Sequence, residues 1–392
     1  MSSRIVVVGA GIAGLTTAVA LQQAGHEVSV LERRTDANSG SGISIWPNAL
    51  AALDELGLGD AVRNAGGQVS AGAMRWRDGS WLRRPEPERM VTALGEPLVV
   101  IRRAALTDIL RAALPPGAVR TGLAATDVDV TGASVRLATT GGDVIEADAA
   151  VGADGVGSVL ARALNAALST RYVGYTAWRG VAAHPLDPIL SGETLGPGVQ
   201  FGHVPLGDDH TYWFATERVA EGSSAPGGEL TYLSRKFADW ADPIPALIAA
   251  TAPGDLLRND LYDRTPARHW ARGPVVLVGD AAHPMRPHLG QGGCQGIEDA
   301  VILARFAGSG ADLPAAFAGF ARFRRRRVLP LVREAAFIGR VVNLRPAALS
   351  GVASRASALL PEAVVRAHLA SIAARGAFRP PAPETVSARR AG

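Results

Sequence analysis

The first 32 residues constrain the fold of this chain more than any other stretch. Arg4–Val8 is an apolar, β-branched run, which is typical of a buried parallel strand. Gly9–Gly14 follows with the sequence Gly-Ala-Gly-Ile-Ala-Gly and leads into a helical pattern that reaches Ala24. A second strand pattern begins at His26 and ends at the acid Glu32. The order of strand, glycine turn, helix, strand and acid predicts a βαβ unit that binds a dinucleotide.

Each residue of this motif has a physical role in holding a dinucleotide. Gly9 permits the tight turn, Gly11 lets backbone N–H groups approach a pyrophosphate, and Gly14 lets the helix pack on the strand. The helix N-terminus stabilises phosphate charge, and Glu32 can accept a hydrogen bond from a ribose hydroxyl. The alternative is a βαβ unit that binds nothing, and the motif alone does not separate NAD from FAD.

Composition excludes several classes of protein. The 392 residues suffice for two domains of ordinary size, and 47% hydrophobic residues allow a full core. A formal charge of +4 is too small to indicate nucleic-acid binding, and the single cysteine, Cys294, excludes an internal disulfide framework. The sequence shows no membrane-length apolar run and no pattern of a signal peptide, so we expect a cytoplasmic protein with no membrane span.

Hydrophobic periodicity predicts the remaining elements. Alternation over residues 69–100 predicts antiparallel strands, residues 118–151 predict a β-meander that includes a strand over 143–151, and residues 172–215 predict strands with aromatic side chains. Helical patterns cover residues 49–56, 104–114, 230–250, 297–306 and 311–344. Gly- and Ser-rich residues 38–42 predict a loop, and the tail after Pro346 predicts an alanine-rich helix with a mobile end.

Two further segments place polar residues and glycines after an apolar strand. Gly152–Ser158 follows one such strand, and Gly279–Gly293 follows another. Asp280 can accept from a hydroxyl of a sugar chain, and the glycines before the next helix can present N–H groups to a phosphate or a flavin edge. Strand carboxyl ends converge on one crevice in an open α/β sheet. A cofactor held from both ends of the chain indicates FAD.

This ordered set of segments resembles the single-component FAD monooxygenases, the group that contains salicylate hydroxylase, urate hydroxylase and zeaxanthin epoxidase. The matching stretches run from Arg4 to about Val332 and include Arg103 and Asp154-Gly155. The resemblance implies a mixed α/β fold in which a Rossmann-like FAD-binding domain joins a β-sheet substrate domain and C-terminal helices. It implies FAD binding by Gly9, Gly11, Ala13, Gly14, Glu32, Arg33, Ser44, Arg103, Ala125, Asp154, Asp280, Gly290, Gly292 and Gly293, with Asp154 also taking part in nicotinamide binding.

The same resemblance divides the chain into alternating segments. The FAD-binding domain is expected from residues 1–68, 101–171 and 266–345. The substrate domain is expected from residues 69–100 and 172–265. Residues 346–392 are expected to form a C-terminal helical tail.

The reaction implied by the resemblance is reduction of FAD by NADH or NADPH, followed by O₂ addition to give a flavin hydroperoxide. One oxygen atom then enters a small apolar or aromatic substrate, or an unsaturated one, and the other leaves as water. An FAD-dependent dehydrogenase or reductase without oxygen insertion is the alternative, because it would hold FAD in the same way. A flavin halogenase and a non-catalytic flavin-binding scaffold are weaker alternatives. We expect a monomer or a homodimer.

The substrate pocket is expected to be lined by Ala177, Arg179, Gln200 and Tyr212, with Pro287 above the flavin. Strand alternation turns Ala177 and Arg179 to one face and Trp178 to the other. Resembling urate hydroxylases carry asparagine at the Ala177 position and arginine at the Gln200 position, and salicylate-type enzymes carry histidine at the latter. These departures argue against both substrates. Arg179, Tyr212 and Pro287 are the expected catalytic residues.

Four other features have simpler interpretations. His203 is three residues beyond Gln200, so it should point to the opposite face of its strand. His283 and His288 lack partner acids at ligand spacing, so we expect no metal site. Cys294 is interpreted as a packing residue at a helix start. The arginine-rich run 322–327 is interpreted as the solvated face of a helix.

Overall fold

The computed structural model describes residues 2–35, 42–70, 72–84, 86–132, 134–166 and 168–381. Residues 38–41 of the predicted loop and residues 382–392 of the tail lie outside this described part. The strands are β1 (Arg4–Val8), β2 (Glu27–Glu32), β3 (Gly42–Ile45), β4 (Gly67–Val69), β5 (Ala73–Trp76), β6 (Trp81–Arg83), β7 (Leu98–Arg102), β8 (Val119–Thr121), β9 (Ala125–Thr131), β10 (Ser134–Thr139), β11 (Val144–Ala147), β12 (Ala149–Gly152), β13 (Thr170–Ala182), β14 (Gly192–Gly196), β15 (Val199–Pro205), β16 (Thr211–Glu217), β17 (Thr251–Arg264), β18 (Ala271–Arg272) and β19 (Val275–Leu277). The α-helices are α1 (Ile12–Gln23), α2 (Pro47–Glu55), α3 (Gly59–Ala65), α4 (Pro87–Leu94), α5 (Arg103–Ala112), α6 (Val159–Asn165), α7 (Glu229–Lys236), α8 (Ile244–Ala249), α9 (Gly292–Phe306), α10 (Leu313–Val342), α11 (Ala347–Ala356) and α12 (Glu362–Ala373).

A six-stranded sheet forms the centre of the first layer, in the order β18-β19-β12-β1-β2-β8. Strands β19, β12, β1, β2 and β8 run parallel, and β18 pairs antiparallel at the edge. Residues 5–8 of β1 are buried, as the apolar run predicts. The three glycine- and polar-rich segments follow β1, β12 and β19, so their positions at neighbouring strand ends agree with the sequence prediction.

Helices α1 and α9 pack on each other above this sheet. Small residues permit their close approach, because a Cβ on Gly296 would lie 2.9 Å from Cβ of Ala13. Both helices are buried along most of their length, which explains why neither shows a polar face in the sequence. Cys294 is fully buried at the start of α9, consistent with its interpretation as a packing residue.

Strands β9, β10 and β11 form the predicted antiparallel meander. The single strand expected over residues 143–151 is wrong, because the chain breaks at Asp148 into β11 and β12. Strand β12 leaves the meander and pairs parallel to β1 in the six-stranded sheet. All four residues of Ala149–Gly152 are buried and apolar, as a central parallel strand requires.

A seven-stranded sheet forms the second layer, in the order β17-β13-β16-β15-β14-β5-β6. The predicted aromatic-containing strands are present as β13, β15 and β16, and the structure adds β14 and β17. One face of this sheet is covered by α7 and α8, where Trp178, Phe201 and Trp213 belong to a buried core. The helix predicted over residues 230–250 is divided into these two short helices.

Residues 69–100 do not form strands throughout, so that prediction is wrong in part. Residues 87–94 form α4, which begins with a proline in its first turn and exposes most of its polar residues. Strands β5 and β6 join the seven-stranded sheet, whereas β7 pairs with β3 and β4 in a separate three-stranded sheet. The mixed α/β fold is confirmed, and the division of the chain into domain segments stays a prediction.

The C-terminal part is helical, as predicted, and α10 extends over 30 residues with Pro330 inside it. Within the described ranges, no helix is both long and apolar enough to cross a membrane. The solvated-face interpretation of residues 322–327 is wrong for Arg324, which is 0% exposed and pairs with two buried acids. Arg322 and Arg326 on the same helix are exposed. The helical period separates these arginines onto different faces.

Candidate active site

One large cavity lies between the carboxyl ends of the parallel strands and the open face of the seven-stranded sheet. Its volume is about 1200 Å³, which exceeds the range of about 300–1,000 Å³ that is usual for a single small-ligand site. Every site residue expected from the sequence lines this cavity, except Gly14. A Cβ on Gly14 would lie 1.9 Å from the Gly9 carbonyl oxygen, so Gly14 serves the packing of helix on turn.

The glycine turn after β1 forms one end of the cavity. Gly9 has φ +104°, and a Cβ there would lie 2.5 Å from the Ala153 carbonyl oxygen, so only glycine fits this position. Gly11 caps the N-terminus of α1, and a Cβ on it would meet no atom within 4 Å. The backbone at Gly11 therefore faces open space in the cavity, where a phosphate can approach the helix N-terminus.

Glu32 stands at the end of β2 and fixes the turn through its carboxylate. Ala10 N–H donates to Glu32 Oε2 at 2.7 Å, and Arg34 N–H donates to Glu32 Oε1 at 2.9 Å. A carboxylate has about four acceptor positions, so it can still accept from a hydroxyl in the cavity. Glu32 thus orders the glycine turn in addition to the role expected from the sequence.

Three ionisable side chains line the middle of the cavity with altered pKa values. Burial lowers the pKa of Arg103, which begins α5, and raises the pKa of Asp154 and of Asp280. Asp280 lines the cavity, and interactions with His283, Arg103 and Arg264 oppose the rise of its pKa. Among the described residues, Arg103 Nε and Asp154 Oδ1 are buried without a hydrogen-bond partner. Such atoms require a partner from a bound molecule or from water.

The loop before α9 closes this side of the cavity. Pro287 begins a short 3₁₀ turn that ends at Leu289, and Gly290 follows with φ +61°. A Cβ on Gly290 would lie 2.8 Å from Trp46 Nε1, so this position also requires glycine. Gly292 and Gly293 form the first turn of α9 and line the cavity. Their N–H groups belong to a helix N-terminus, which favours a negatively charged ligand atom.

A buried ion cluster, which sequence reasoning missed, supports this loop from behind. It consists of Arg324, Glu298, Asp299 and His283, all fully buried. Arg324 donates to Glu298 at 2.6 Å and to Asp299 at 2.7 Å, and His283 Nε2 donates to Asp299 at 2.6 Å. Gly279 N–H also donates to Asp299 at 2.9 Å, which ties the cluster to the turn that presents Asp280. No group of three or more metal-ligating side chains is placed to hold a metal within the part of the chain described here.

The open face of the seven-stranded sheet forms the other end of the cavity. Ala177 and Arg179 of β13 line it, while Trp178 packs in the core behind, as strand alternation predicts. Arg179 Nη1 donates to Asn259 Oδ1 of β17 at 3.0 Å. Tyr212 lies over Gly42, where a Cβ would be 2.5 Å from its ring. Burial raises the pKa of Tyr212, and the guanidinium of Arg179 opposes that rise.

Glu193 is a cavity-lining acid that sequence reasoning missed. It lies on β14 and accepts a hydrogen bond from Gln200 Nε2 of β15 at 2.6 Å. Burial raises the pKa of Glu193 against this hydrogen bond. Gln200 Oε1 and Thr216 Oγ1 are buried and have no hydrogen-bond partner in the described ranges. Only the pairing of β14 with β15 brings Glu193 to the cavity, so no local motif could have indicated it.

His203 lies on the opposite face of β15 from Gln200, as expected. Its Nε2 is 3.4 Å from Thr194 Oγ1, and its ring contacts Phe201 in the core. Burial, with Arg75 nearby, lowers the pKa of His203 to about 4. His203 is therefore a buried, neutral residue away from the cavity.

Comparison with known proteins agrees with this geometry. The chain matches the family described as "FAD binding domain" over residues 2–226 and 246–307. It is 38% identical over 342 residues to the aurachin C monooxygenase/isomerase of Stigmatella aurantiaca, covering 86% of this chain and 89% of that protein. It is 36% identical over 308 residues to the 3-amino-4-hydroxybenzoate 2-monooxygenase of Streptomyces cremeus, covering 76% of this chain and 77% of that protein.

The fold also matches a solved flavoprotein along nearly its whole length. The crystal structure of Klebsiella pneumoniae HpxO in complex with FAD and uric acid superimposes with a TM-score of 0.87 at 28% identity. The superposition covers 94% of this chain and 96% of that chain. This chain belongs to the family of FAD-dependent monooxygenases and hydroxylases that carry this FAD-binding domain.

Proposed function

We propose that this protein is an NAD(P)H-dependent FAD monooxygenase that inserts one atom of O₂ into a small aromatic or unsaturated substrate. The single observation that supports the proposal most is the continuity of the cavity, which joins the dinucleotide-type turns to a sheet face lined by side chains. A non-catalytic scaffold that only holds FAD has no need of the second half.

The residues present fit FAD. Unpaired Arg103 Nε and Asp154 Oδ1 offer a buried donor and a buried acceptor, and the backbone at Gly11 has open space before it. We assign FAD binding to the helix N-terminus at Gly11 to Gly14, to Glu32 and Asp280 as hydroxyl acceptors, and to the remaining lining residues: Gly9, Ala13, Arg33, Ser44, Arg103, Ala125, Asp154, Gly290, Gly292 and Gly293. When bound, FAD supplies the transfer of electrons from NADH or NADPH and the activation of O₂.

The protein's own part is orientation and the exclusion of water. Arg179 and Tyr212 are positioned to orient the substrate, and Pro287, in the loop before α9, forms part of the cavity wall. Ala177 and Gln200 give this pocket a shape and polarity that differ from the urate-type and salicylate-type pockets. Because Tyr212 is buried with a raised pKa, it stays neutral and serves as a hydrogen-bonding group.

The test is oxygen transfer by the purified FAD-bound protein in ¹⁸O₂ with NADH or NADPH. A panel of phenols, aminophenols and prenylated aromatics is screened by cofactor oxidation, and products are analysed by mass spectrometry. The proposal expects one ¹⁸O atom per product molecule with an active panel member. If every panel compound that stimulates cofactor oxidation gives only peroxide or a dehydrogenated product, the protein is a reductase or dehydrogenase and the proposal is wrong.

A further inference from the structure

Three polar side chains on the sheet face form a group whose hydrogen bonds are incomplete. Glu193, Gln200 and Thr216 lie on the neighbouring strands β14, β15 and β16 and line the same cavity. Gln200 is in register with Thr216, and Glu193 is in register with Gly202 on the strand that carries Gln200. We name these three side chains the polar trio.

The hydrogen bond between Glu193 and Gln200 fixes the direction of the Gln200 amide. An ionised carboxylate can only accept, so the amide must turn its NH₂ group towards Glu193. The observed contact joins Gln200 Nε2 to Glu193 Oε2 at 2.6 Å. Gln200 Oε1 is then the remaining end of the amide, and in the part of the chain that the structure describes it is buried without a donor.

Thr216, which is in register with Gln200 on the neighbouring strand, adds a second unpaired group. Thr216 Oγ1 is buried without a partner among the described side chains and backbone groups. A hydroxyl can donate or accept, so it adapts to a ligand, whereas a carbonyl oxygen accepts only. The flanking positions are apolar: Ala177 and Leu257 line the cavity, and the ring of Phe214 lies over Gly202. A flat ring with an attached donor therefore matches this surface.

We propose that the polar trio is a specificity subsite for aromatic substrates that carry an O–H or N–H group, with ionised Glu193 holding the Gln200 amide so that its oxygen faces the substrate. Gln200 is the residue that contacts the substrate, and Glu193 is a positioning residue. The inference rests on the proposed function, because it places the substrate ring beside the FAD-binding half of the cavity.

Protonation of Glu193 should change the group that Gln200 presents to the cavity from an acceptor to a donor. A neutral carboxylic acid can donate to Gln200 Oε1, and the amide can then turn its NH₂ group to the cavity. Because burial raises the pKa of Glu193 above the ordinary 4.5, the change takes place above that pH. A ligand that carries a donor should bind with full affinity when Glu193 is ionised. This affinity should be lost as the pH falls through the pKa of Glu193.

Other titratable groups around Glu193 do not supply this pH dependence. Arg75 and His203 lie on the face of the sheet opposite to Glu193. Thr194, the next residue after Glu193 and therefore on that opposite face, is in register with Arg75, and its hydroxyl is 3.4 Å from His203 Nε2. At the sheet end of the cavity these groups include Arg179, Tyr212, Arg286 and His288, with Arg83 on the adjoining strand β6 and Arg355 on the packed helix α11. Asp154 and Asp280 also line the cavity with raised pKa values, but they follow strands of the six-stranded sheet and remain in a Glu193→Gln variant, so any pH dependence of theirs would persist there. The arginines stay charged, Tyr212 has a raised pKa, and the pKa of His288 is lowered to about 4.

The experiment measures binding to the FAD-bound protein by calorimetry, without NAD(P)H. The probes are two matched pairs, phenol with anisole and indole with 1-methylindole, in which methylation removes only the donor. Above the pKa of Glu193, and below about pH 10 where phenol itself ionises, we expect the donor probes to bind about tenfold more tightly than their methylated partners. The methylated probe loses one hydrogen bond and leaves a buried acceptor without a partner. The ratio should fall towards one as the pH is lowered through the pKa of Glu193, and donor binding below that pH should release a proton.

Two variants separate positioning from structure. Glu193→Gln should bind the donor probes with no pH dependence and no proton release, with a ratio below about threefold. Glu217→Gln removes a carboxylate from the other face of the same sheet and should keep the wild-type pH profile. If Glu193→Gln does not fold, the wild-type ratio and its proton release still decide the matter.

The inference is overturned if wild-type protein binds each pair equally at all pH values, if Glu193→Gln retains the pH profile, or if neither donor probe binds at millimolar concentration. The outcome is separate from the test of the proposed function. Binding here requires neither O₂ nor NAD(P)H, so a protein that inserts no oxygen can still show the donor selectivity, and an active monooxygenase can lack it.

Discussion

The buried ion cluster and the polar trio are both polar groups in the interior, yet their hydrogen bonding differs. The guanidinium and the two carboxylates of the cluster are fully paired, and in the cluster only His283 Nδ1 lacks a partner in the described ranges. Arg324 is hydrogen-bonded through Nε, Nη1 and Nη2, and its partners Glu298 and Asp299 accept from further donors. The polar trio leaves Gln200 Oε1 and Thr216 Oγ1 without partners in the described ranges. A complete buried network stabilises the protein, whereas an incomplete one costs free energy until a ligand completes it.

This difference indicates where the chain maintains its structure and where it binds its ligands. The ion cluster holds the turn at Gly279 and the loop before α9 in place. Its side chains do not line the cavity, so they affect it only through the backbone that they fix. Several of the unpaired atoms belong to residues that line the cavity, among them Arg103 Nε and Asp154 Oδ1 in the half proposed to bind FAD and the two atoms of the trio in the half proposed to bind the substrate. Others, such as Trp46 Nε1 and His203 Nδ1, belong to residues that do not line it.

Breaking the ion cluster should have the largest effect on stability. Arg324→Ala removes the guanidinium that both buried carboxylates share and leaves Glu298 to Arg327 and Asp299 to His283, so we expect the free energy of unfolding to fall by about 3–5 kcal/mol. Arg326→Ala, at an exposed position of the same helix, should change it by less than about 0.5 kcal/mol. Urea denaturation of both variants is the measurement, and equal losses would show that the cluster has no special role.

Removing a hydroxyl acceptor from the FAD-binding half should have an intermediate effect on cofactor affinity. Glu32→Ala and Asp280→Ala should each weaken FAD binding about ten- to a hundredfold, because a hydrogen bond to a charged group contributes roughly 1.5–3 kcal/mol. Glu27→Ala, at the exposed start of β2, is the control and should bind FAD normally. Fluorescence titration of released flavin measures the affinity, and full retention of FAD by both cavity variants would refute their assignment.

Changing the polar trio should have the smallest effect on the free energy of unfolding. It should raise this free energy, whereas Arg324→Ala should lower it. The pKa of Glu193 is raised in the folded protein, so its ionisation above about pH 4.5 disfavours folding. Asp299 is the reverse: burial alone would raise its pKa, but His283 and Arg324 lower it to about 2, so its contribution is lost only as the pH falls through that value. Glu193→Gln should therefore raise stability at pH 8 by up to about 1 kcal/mol. A clear loss in urea denaturation at pH 8 would place Glu193 with the structural residues.

The residues that line the half of the cavity proposed to bind FAD could be predicted from sequence because their signals are local. Gly9, Gly11 and Glu32 lie within one βαβ unit, and Asp280 follows directly after a buried strand. Helix α4 was missed because its surface pattern resembles strand alternation and its proline is compatible with a first helical turn as well as a break. Such ambiguity is usual for short, exposed elements.

The substrate half could be predicted only in part, because its composition depends on strand register. Alternation along β13 correctly separated Arg179 from Trp178, since both lie on one strand. Glu193 becomes significant only when β14 pairs with β15, and Arg324 only when α10 packs on α9. Neither contact leaves a pattern in the nearby sequence, so the arginine-rich run was misinterpreted as solvated.

The most direct test of the account is a crystal structure of the FAD-bound protein with phenol. We expect FAD along the wall from Gly11 to Asp280, a hydrogen bond from Arg103 Nε to FAD or ordered water, one from FAD or ordered water to Asp154 Oδ1, and the phenol hydroxyl donating to Gln200 Oε1. The ion cluster should keep its present contacts of 2.6 Å and 2.7 Å between Arg324 and its two acids. FAD bound outside the cavity, or Gln200 Oε1 still unpaired beside a bound phenol, would contradict the division of the cavity proposed here.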